Sequence, residues 1–287
     1  MELVVPLDGP YLQYRGKKVL DFASHDFLGL AQHPEVKKSA IRYTLKFGTG
    51  LPVHPLFLES QAQLEEKLAH LLGMPHAAFY SSSEVARSII PEKTTWIDAL
   101  EKNIAPKKGS HSIDESATFG VTGERGLGRS AKQKGYDYIF ASMTQGGGCS
   151  AAFVASQQAL TKTPITPPML GALDAILSML PEMDHERTLI QKHTSWLCKE
   201  LEAQGLKPST SLLPIMTLKF KNPEDATTLW KMFIDADILL GRPSEKELSL
   251  TITALHTPDD LDQLGTTLKR FSTADLAAVM QSLTPTP

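Results

Sequence analysis

The spacing of hydrophobic and polar positions along the chain predicts alternating helices and strands. Apolar residues three and four positions apart, bounded by proline before and glycine after, are typical of amphipathic helices. Short apolar runs bounded by turn residues are typical of strands. We predict a hairpin over residues 11–22; helices over 34–47, 58–72, 169–180, 187–204, 226–234 and 259–271; and strands over 77–80, 112–113, 137–143, 215–220, 238–240 and 248–254.

The order of these elements predicts how the chain divides into domains. The β-α-β-β-α order after the helix at 187–204 suits a small C-terminal α/β domain. Residues 84–112 show no clear periodicity, although residues 107–110 are typical of an exposed turn. We predict an N-terminal arm over 1–33, a large domain over 34–183, a small domain over 184–273 and a loose tail over 274–287.

Composition and charge exclude several classes of protein. The chain has 287 residues, 41% of them hydrophobic, and a net charge of −3. Both signs are interspersed, which argues against a nucleic-acid-binding surface. No apolar run is long enough to cross a bilayer, and the N-terminus does not have the pattern of a signal peptide. The two cysteines, Cys149 and Cys198, have no metal-type spacing. We predict a reduced, cytoplasmic protein without a membrane span.

Five separated segments resemble, in the same order, the motifs of the α-oxoamine synthases. These are pyridoxal-phosphate (PLP) enzymes that join an acyl-CoA to an amino acid. The most specific segment reads IDESATFG and then GERGLG. The five segments are 21–34, 47–69, 113–128, 146–153 and 166–168.

The resemblance implies an α/β fold, the PLP-dependent transferase fold type I. It implies a large domain with a mostly parallel sheet, here shortened, and a small C-terminal α/β domain. Only 28 residues separate Ser83 from Ser112, which is too few for the elements that the family has there. Family members are dimers, so we expect a homodimer or a heterodimer with an intact synthase.

The resemblance places Gln145 where the family has the lysine that forms a Schiff base with PLP. A lysine amine condenses with an aldehyde, whereas a carboxamide nitrogen is not nucleophilic. We therefore expect weak PLP binding or none, and no internal aldimine. Loss of this lysine alone should lower the rate by many powers of ten. Lys132 and Lys134 precede the strand and are typical of a solvated surface run.

Three further positions on the cofactor side follow from the same resemblance. Asp114 matches the carboxylate that faces the pyridine nitrogen, although an aspartate at a strand end also caps turns. Ala117 stands where the family has a histidine that bonds the phenolic oxygen of PLP, and alanine offers no hydrogen bond. Ser142 belongs to the strand that leads to the lysine position. If Asp98 begins the family's "D-x-L" sequence, Lys102 takes the place of a histidine that stacks on the PLP ring.

The remaining positions concern the phosphate and the substrate. Ser82 and Ser83 match a loop whose backbone N–H groups bind the phosphate, and a solvated polar loop is the alternative. Glu84 follows, and its carboxylate would repel a phosphate. Ser249 stands where the family presents an arginine to the substrate carboxylate, and serine cannot form that bidentate pair. His25 is assigned to the substrate side.

Other catalytic patterns are absent from the sequence. The glycines of residues 123–128 do not form the dinucleotide fingerprint, and there is no P-loop and no G-x-S-x-G elbow. Cys149 stands beside three glycines, but no partner histidine can be assigned, which favours a buried small residue over a nucleophile. The nine histidines show no ligand spacing.

Two functions remain open. The first is a degenerate, non-catalytic subunit or pseudoenzyme, resembling the lysine-lacking long-chain-base subunit of serine palmitoyltransferase. The second is an active PLP-dependent acyl-CoA:amino-acid C-acyltransferase of the 8-amino-7-oxononanoate synthase or serine palmitoyltransferase type. A PLP-independent binding protein has no motif to support it.

Overall fold

The structure is a computed structural model that describes residues 4–50, 54–102, 104–106, 109–205 and 213–270. Contacts divide the chain into two compact units. One contains the described residues of Met1–Phe27 and Thr188–Pro287, and the other is formed by Leu28–Arg187.

The helices and strands alternate along the chain. The helices are α1 (Pro34–Phe47), α2 (Pro55–Leu72), α3 (Ser83–Ile89), α4 (Pro167–Met179), α5 (Asp184–Ala203), α6 (Pro223–Asp235) and α7 (Pro258–Arg270). The strands are β1 (Val4–Pro6), β2 (Tyr11–Tyr14), β3 (Lys17–Phe22), β4 (His76–Tyr80), β5 (Thr95–Asp98), β6 (His111–Asp114), β7 (Tyr138–Ser142), β8 (Ala152–Ser156), β9 (Ile215–Lys219), β10 (Ile238–Ser244) and β11 (Glu247–Thr251).

The unit that contains both ends of the chain is built on a six-stranded sheet in the order β1-β2-β3-β10-β11-β9. The N-terminal hairpin joins this sheet because β3 pairs with β10 in parallel. The other neighbouring pairs are antiparallel. In this unit a buried histidine, His256, stacks on Phe22 and bonds the backbone oxygen of Asp21 at 3.0 Å.

The Leu28–Arg187 unit is built on a five-stranded sheet in the order β4-β8-β7-β6-β5. Strands β7, β6 and β5 are parallel, and β8 is antiparallel to both of its neighbours. The α/β fold class is confirmed, and the sheet of this unit is mixed.

The hydrophobic core of this unit places helix α3 on the sheet. Ala86 and Ile90, four positions apart, lie in one buried cluster with side chains of β4, β7 and β8. Ala86 lies within α3 and Ile90 follows its last residue, Ile89, which packs against the same cluster, whereas Arg87 and Ser88 are exposed.

Most predicted elements are present, with ends that differ by a few residues. The aperiodic segment 84–112 contains both α3 and β5, and β8 was not predicted. The prediction of a loop at residues 81–83 is wrong at its last position, because Ser83 is the first residue of α3. The predicted turn at 107–110 includes Lys107 and Lys108, which lie outside the described residues, as does the tail from residue 274.

Within the described parts of the chain, every helix is too short or too polar to span a lipid bilayer.

Candidate functional site

The candidate site lies at the carboxyl ends of three parallel strands. Asp98 ends β5 and lies opposite Asp114, the last residue of β6, which in turn lies opposite Phe140 of β7. Ligands of open α/β sheets bind at this kind of edge. A cavity of about 250 Å³ opens here, and its lining includes Arg87, Trp96, Asp98, Asp114, Ser116 and Ala117.

Both carboxylate oxygens of Asp114 are engaged within the protein. Oδ2 forms an ion pair with Nη2 of Arg87. Oδ1 accepts a hydrogen bond of 2.9 Å from the backbone N–H of Ser116. The Asp114 side chain is 24% exposed and the Arg87 side chain 46%. Asp114 therefore caps the turn after β6 and at the same time binds an internal cation.

The guanidinium of Arg87 also lies over two aromatic rings. Its central carbon is 4.3 Å from the ring centre of Phe140 and 4.7 Å from that of Trp96. These distances are within the range of cation–π interactions. The two rings themselves meet edge to face, with centroids 5.7 Å apart. Arg87 is thus held by a charge and by two aromatic faces.

Gln145 lies in the tight turn that follows β7. The backbone oxygen of Met143 accepts from the N–H groups of Gly147 at 3.0 Å and Cys149 at 3.1 Å, which closes the turn. The side-chain oxygen Oε1 of Gln145 is buried and has no hydrogen-bond partner among the described residues. The residue therefore brings a carboxamide to the turn and no amine.

Close backbone contact holds this turn in place. A Cβ atom on Gly146 would lie 1.8 Å from the backbone oxygen of Phe119, and one on Gly120 would lie 2.6 Å from the Cα of Gly146. Real Cβ atoms do not approach so closely, so both positions require glycine. Gly120 also has φ +93°, which disfavours any residue with a side chain.

Neither Gln145 nor any lysine is found among the described residues that line the cavity. Lys132 pairs at 3.4 Å with Glu124, and both side chains are mostly exposed. Lys134 and Lys102 are exposed, and Lys102 is not among the lining residues.

The serines assigned to the phosphate form a helix start. Ser82 is the N-cap of α3, and its hydroxyl accepts from the N–H of Val85 at 3.3 Å. Ser83 is the first residue of the helix. A hydrogen bond from the Ser82 side chain is the main cause that lowers the pKa of Glu84, with a smaller contribution from Arg87. A carboxylate of the chain itself therefore lies in the first turn, where helix N–H groups favour negative charge.

Ala117 and Ser142 differ in what they offer to a ligand. Ala117 lines the cavity and contributes no polar side-chain atom. The backbone N–H of Ser142 donates to the Ser116 hydroxyl at 2.8 Å, and its own hydroxyl lies 3.0 Å from that of Thr144. The polar groups of Ser142 are thus engaged with neighbouring residues.

The two residues assigned to the substrate lie in the other unit. Ser249 is buried on β11, and a Cβ atom on Gly241 would lie 2.3 Å from its hydroxyl oxygen. His25 is half-buried and stacks on Phe27, and burial is the main cause that lowers its pKa.

Glu115, next to Asp114, is a second carboxylate that the sequence analysis did not single out. It is fully buried, accepts from the backbone N–H of Ser130 at 2.6 Å and from the Thr118 hydroxyl, and lies against Gly128. Its hydrogen bond with Ser130 connects the two ends of the loop formed by residues 115–130.

The described residues give little support for a metal site or for a reactive cysteine. Within the described ranges, no group of three or more His, Cys, Asp or Glu side chains could hold a metal ion. Burial is the main cause that raises the pKa of the Cys149 thiol, which disfavours the reactive thiolate.

Comparison with known sequences finds relatives along nearly the whole chain, although no family model matches it. A putative 8-amino-7-oxononanoate synthase of Paramagnetospirillum magneticum is 23% identical over 378 aligned residues, covering 99% of this chain and 93% of the relative. The 8-amino-7-oxononanoate synthase 1 of Polaromonas sp. is 39% identical over 102 residues, 34% of this chain and 25% of the relative. The longer alignment exceeds 287 residues, so the relative contains segments that this chain lacks.

Comparison with solved structures gives the same plan. A Sphingomonas wittichii serine palmitoyltransferase matches with a TM-score of 0.80 and 14% identity, over 98% of this chain and 93% of that one. The 8-amino-7-oxononanoate synthase from Francisella tularensis matches with a TM-score of 0.71 and 17% identity, over 91% and 98%. The fold is therefore that of the PLP-dependent transferases of fold type I. The sequence relatives, which are named as 8-amino-7-oxononanoate synthases, agree with this fold and with the resemblance of the chain to the α-oxoamine synthase family.

The residues of this site do not fit PLP, the cofactor of that family. Position 145 offers no amine to the aldehyde. The carboxylate of Asp114 already binds Arg87, and Ala117 offers no hydrogen bond to the phenolic oxygen. PLP supplies an electron sink for chemistry at an amino acid's α-carbon when it is bound.

Proposed function

We propose that this chain is a non-catalytic member of the α-oxoamine synthase family that supports an active synthase by associating with it. The proposal is supported by the carboxamide of Gln145 where the resemblance implies a lysine, and by the absence of lysine among the described residues that line the cavity. An aldehyde cofactor has no amine here with which to form a covalent bond.

Several substitutions point in the same direction. Ala117 and Ser249 replace groups that would bind the cofactor's phenolic oxygen and the substrate's carboxylate, so the losses concern different parts of the reaction. A change at one position can be compensated by a neighbour. The absence of the expected lysine, histidine and arginine at these three positions favours a chain that does not catalyse the family's reaction.

The test is covalent trapping of PLP on the purified chain. Protein incubated with PLP is reduced with borohydride and digested, and phosphopyridoxyl-lysine is located by peptide mass spectrometry. Wild type should carry only the scattered surface labelling of exposed lysines. Gln145→Lys should be labelled at position 145, because this substitution restores a primary amine in the turn.

Gln32→Lys is the matched control, because Gln32 is exposed and does not belong to the turn after β7 that contains Gln145. It should add no more than surface labelling. Specific labelling of one wild-type lysine, together with an absorption band that survives dialysis, would contradict the proposal.

The names of the relatives favour a second function, an active acyl-CoA:amino-acid C-acyltransferase. One neighbouring structure is of SPT with its PLP internal aldimine, and it matches this chain with a TM-score of 0.81 at 15% identity. Release of CoA by the wild type from an acyl-CoA and an amino acid, dependent on added PLP, would establish this function. No CoA release above the rate of the Asp114→Ala variant would exclude it under those conditions.

An exposed apolar surface supports association with another subunit. Ile41 is 59% exposed and Leu45 83%, one turn apart on α1, and Leu56 at the start of α2 is 55% exposed. The rings of Phe47 and Phe57, 5.3 Å apart, join the end of α1 to the start of α2. Apolar side chains grouped in this way mark interaction surfaces in stable proteins. We therefore propose a homodimer, or a heterodimer with an intact synthase, through this surface.

Light scattering after size exclusion tests the association. The chain alone, or the chain mixed with an intact 8-amino-7-oxononanoate synthase, should elute as a dimer. Leu45→Lys should weaken the dimer by about 2 kcal/mol per copy, because it places a charge where an apolar side chain is buried. Leu7→Lys, at an exposed apolar position of the other unit, is the control. A wild type that stays monomeric alone and in the mixture would refute the association.

A further inference from the structure

We propose that helix α3 closes the cofactor site from within. Arg87 occupies the place at Asp114 that a flat cationic ring would need, so the edge of the sheet is internally paired and excludes pyridinium ligands. This inference rests on the proposed non-catalytic function and adds a second, independent barrier to the missing amine at position 145.

The positive charge of Arg87 prevents a cationic ligand from using the Asp114 carboxylate. A carboxylate at the end of β6 would favour a protonated ring nitrogen only if an oxygen were available to it. In Asp114 one oxygen binds the Arg87 guanidinium and the other accepts from Ser116 at 2.9 Å. A cationic ligand must displace Arg87, and the freed guanidinium then repels it at short range.

The flat guanidinium of Arg87 also resembles in shape the ring that it would exclude. A guanidinium is flat and stacks on aromatic faces, as does a pyridinium ring. Arg87 covers Phe140 at 4.3 Å and Trp96 at 4.7 Å, so it uses the aromatic surface that a bound ring would use. Without Arg87, this edge of the sheet would offer the carboxylates of Asp114 and Asp98 beside the aromatic faces of Phe140 and Trp96. That combination is suited to a flat heteroaromatic cation.

The packing of helix α3 holds Arg87 in this position. Ala86 and Ile90 bury α3 in the core of the sheet, and Ser82 caps its first turn. The guanidinium is therefore presented by a packed helix and not by a free loop. Displacing it costs both the ion pair with Asp114 and the contacts with the rings.

Pyridoxamine 5′-phosphate is the probe, because it has the pyridine ring and the phosphate of PLP but no aldehyde. Its binding therefore does not depend on an amine at position 145. Titration calorimetry measures the affinity, and quenching of Trp96 fluorescence reports binding at the cavity. Arg87→Ala should bind the probe about tenfold more tightly than wild type, or better, since a repulsive charge at the cavity is removed and the Asp114 carboxylate becomes available.

Matched variants identify the cause. Arg42→Ala removes a comparable arginine, which pairs with Asp174 at 3.4 Å and lies 5.7 Å from the Tyr43 ring centre, and it should leave the affinity unchanged. Adding Asp114→Asn to Arg87→Ala should abolish the gain, because the carboxylate is then lost.

Arg87→Gln provides a second neutral variant, with a side chain of similar reach, should the alanine variant lose its cooperative melting. It must also bind the probe more tightly than wild type. Unchanged affinity in the neutral variants overturns this inference and leaves the proposed function intact. Specific borohydride labelling of wild type overturns the proposed function, whatever the affinities for pyridoxamine 5′-phosphate.

Discussion

Two neighbouring regions of the Leu28–Arg187 unit are built in opposite ways. The turn after β7 packs backbone against backbone, with Gly146 and Gly120 in contact that leaves no room for a side chain. At the edge of the sheet, Arg87 and Trp96 are 46% and 38% exposed and make contacts through long side chains. Steric constraints fix the first region, whereas side-chain chemistry defines the second. The packing of the first region therefore does not depend on which side chains lie at the edge of the sheet.

The same contrast separates two adjacent carboxylates. Glu115 is fully buried and accepts hydrogen bonds from Ser130 and Thr118, so it belongs to the packed loop. Asp114 faces the cavity and pairs with a half-exposed arginine. Asp114 is the last residue of β6 and Glu115 is the first residue after it, so the end of the strand separates the cavity-lining carboxylate from the buried one.

Substitution of Gly146 should cause the largest loss of stability. Gly146→Ala places a methyl group 1.8 Å from the backbone oxygen of Phe119, so the backbone must move. We expect a loss of about 3 kcal/mol in the free energy of unfolding, measured by urea denaturation. Gly50→Ala has no atom within 4 Å of the new Cβ and should be nearly neutral. Equal effects at the two positions would show that the turn is not packed as described.

Substitution of the adjacent carboxylates Glu115 and Asp114 should lower the free energy of unfolding by a smaller amount. Glu115→Ala leaves the Ser130 N–H without its buried acceptor and should cost about 2–3 kcal/mol. Asp114→Ala breaks an ion pair that is partly exposed to solvent and should cost less than about 1 kcal/mol. Thermal melts of both variants check the difference. A larger loss for Asp114→Ala would reverse the assignment of the two carboxylates.

The smallest effect concerns Glu84 and depends on pH. Its folded pKa is lowered from the ordinary value of 4.5, mainly by the Ser82 hydrogen bond. Its contribution to stability is therefore present above about pH 4.5 and is lost as the pH falls through the lower folded pKa. Melting temperatures of wild type and Glu84→Gln should differ slightly at pH 7 and converge in acid. Glu66→Gln, at an exposed position of α2, is the control. A difference that persists in acid would show that the charge of Glu84 is not its cause.

The elements with a strong hydrophobic period could be predicted from sequence. Helix α1 has its first residue at the predicted Pro34 and ends before the predicted Gly48, and α2 ends before Gly73. Helix α3 has only seven residues and β5 only four. Two turns and a short strand contain too few apolar positions to reveal a period, so this segment could not be predicted.

The sequence by itself indicated a resemblance to the α-oxoamine synthases, through motifs spread along the chain, and it has a glutamine, Gln145, where that resemblance leads us to expect a lysine. The tertiary structure alone decided what occupies the edge of the sheet. Arg87 and Asp114 are 27 positions apart, and no spacing rule links them. They meet because α3 packs on β4, β7 and β8, and β6, which ends at Asp114, is the next strand beside β7. Pairing between side chains on different elements depends on how those elements pack, and a linear pattern does not contain that information.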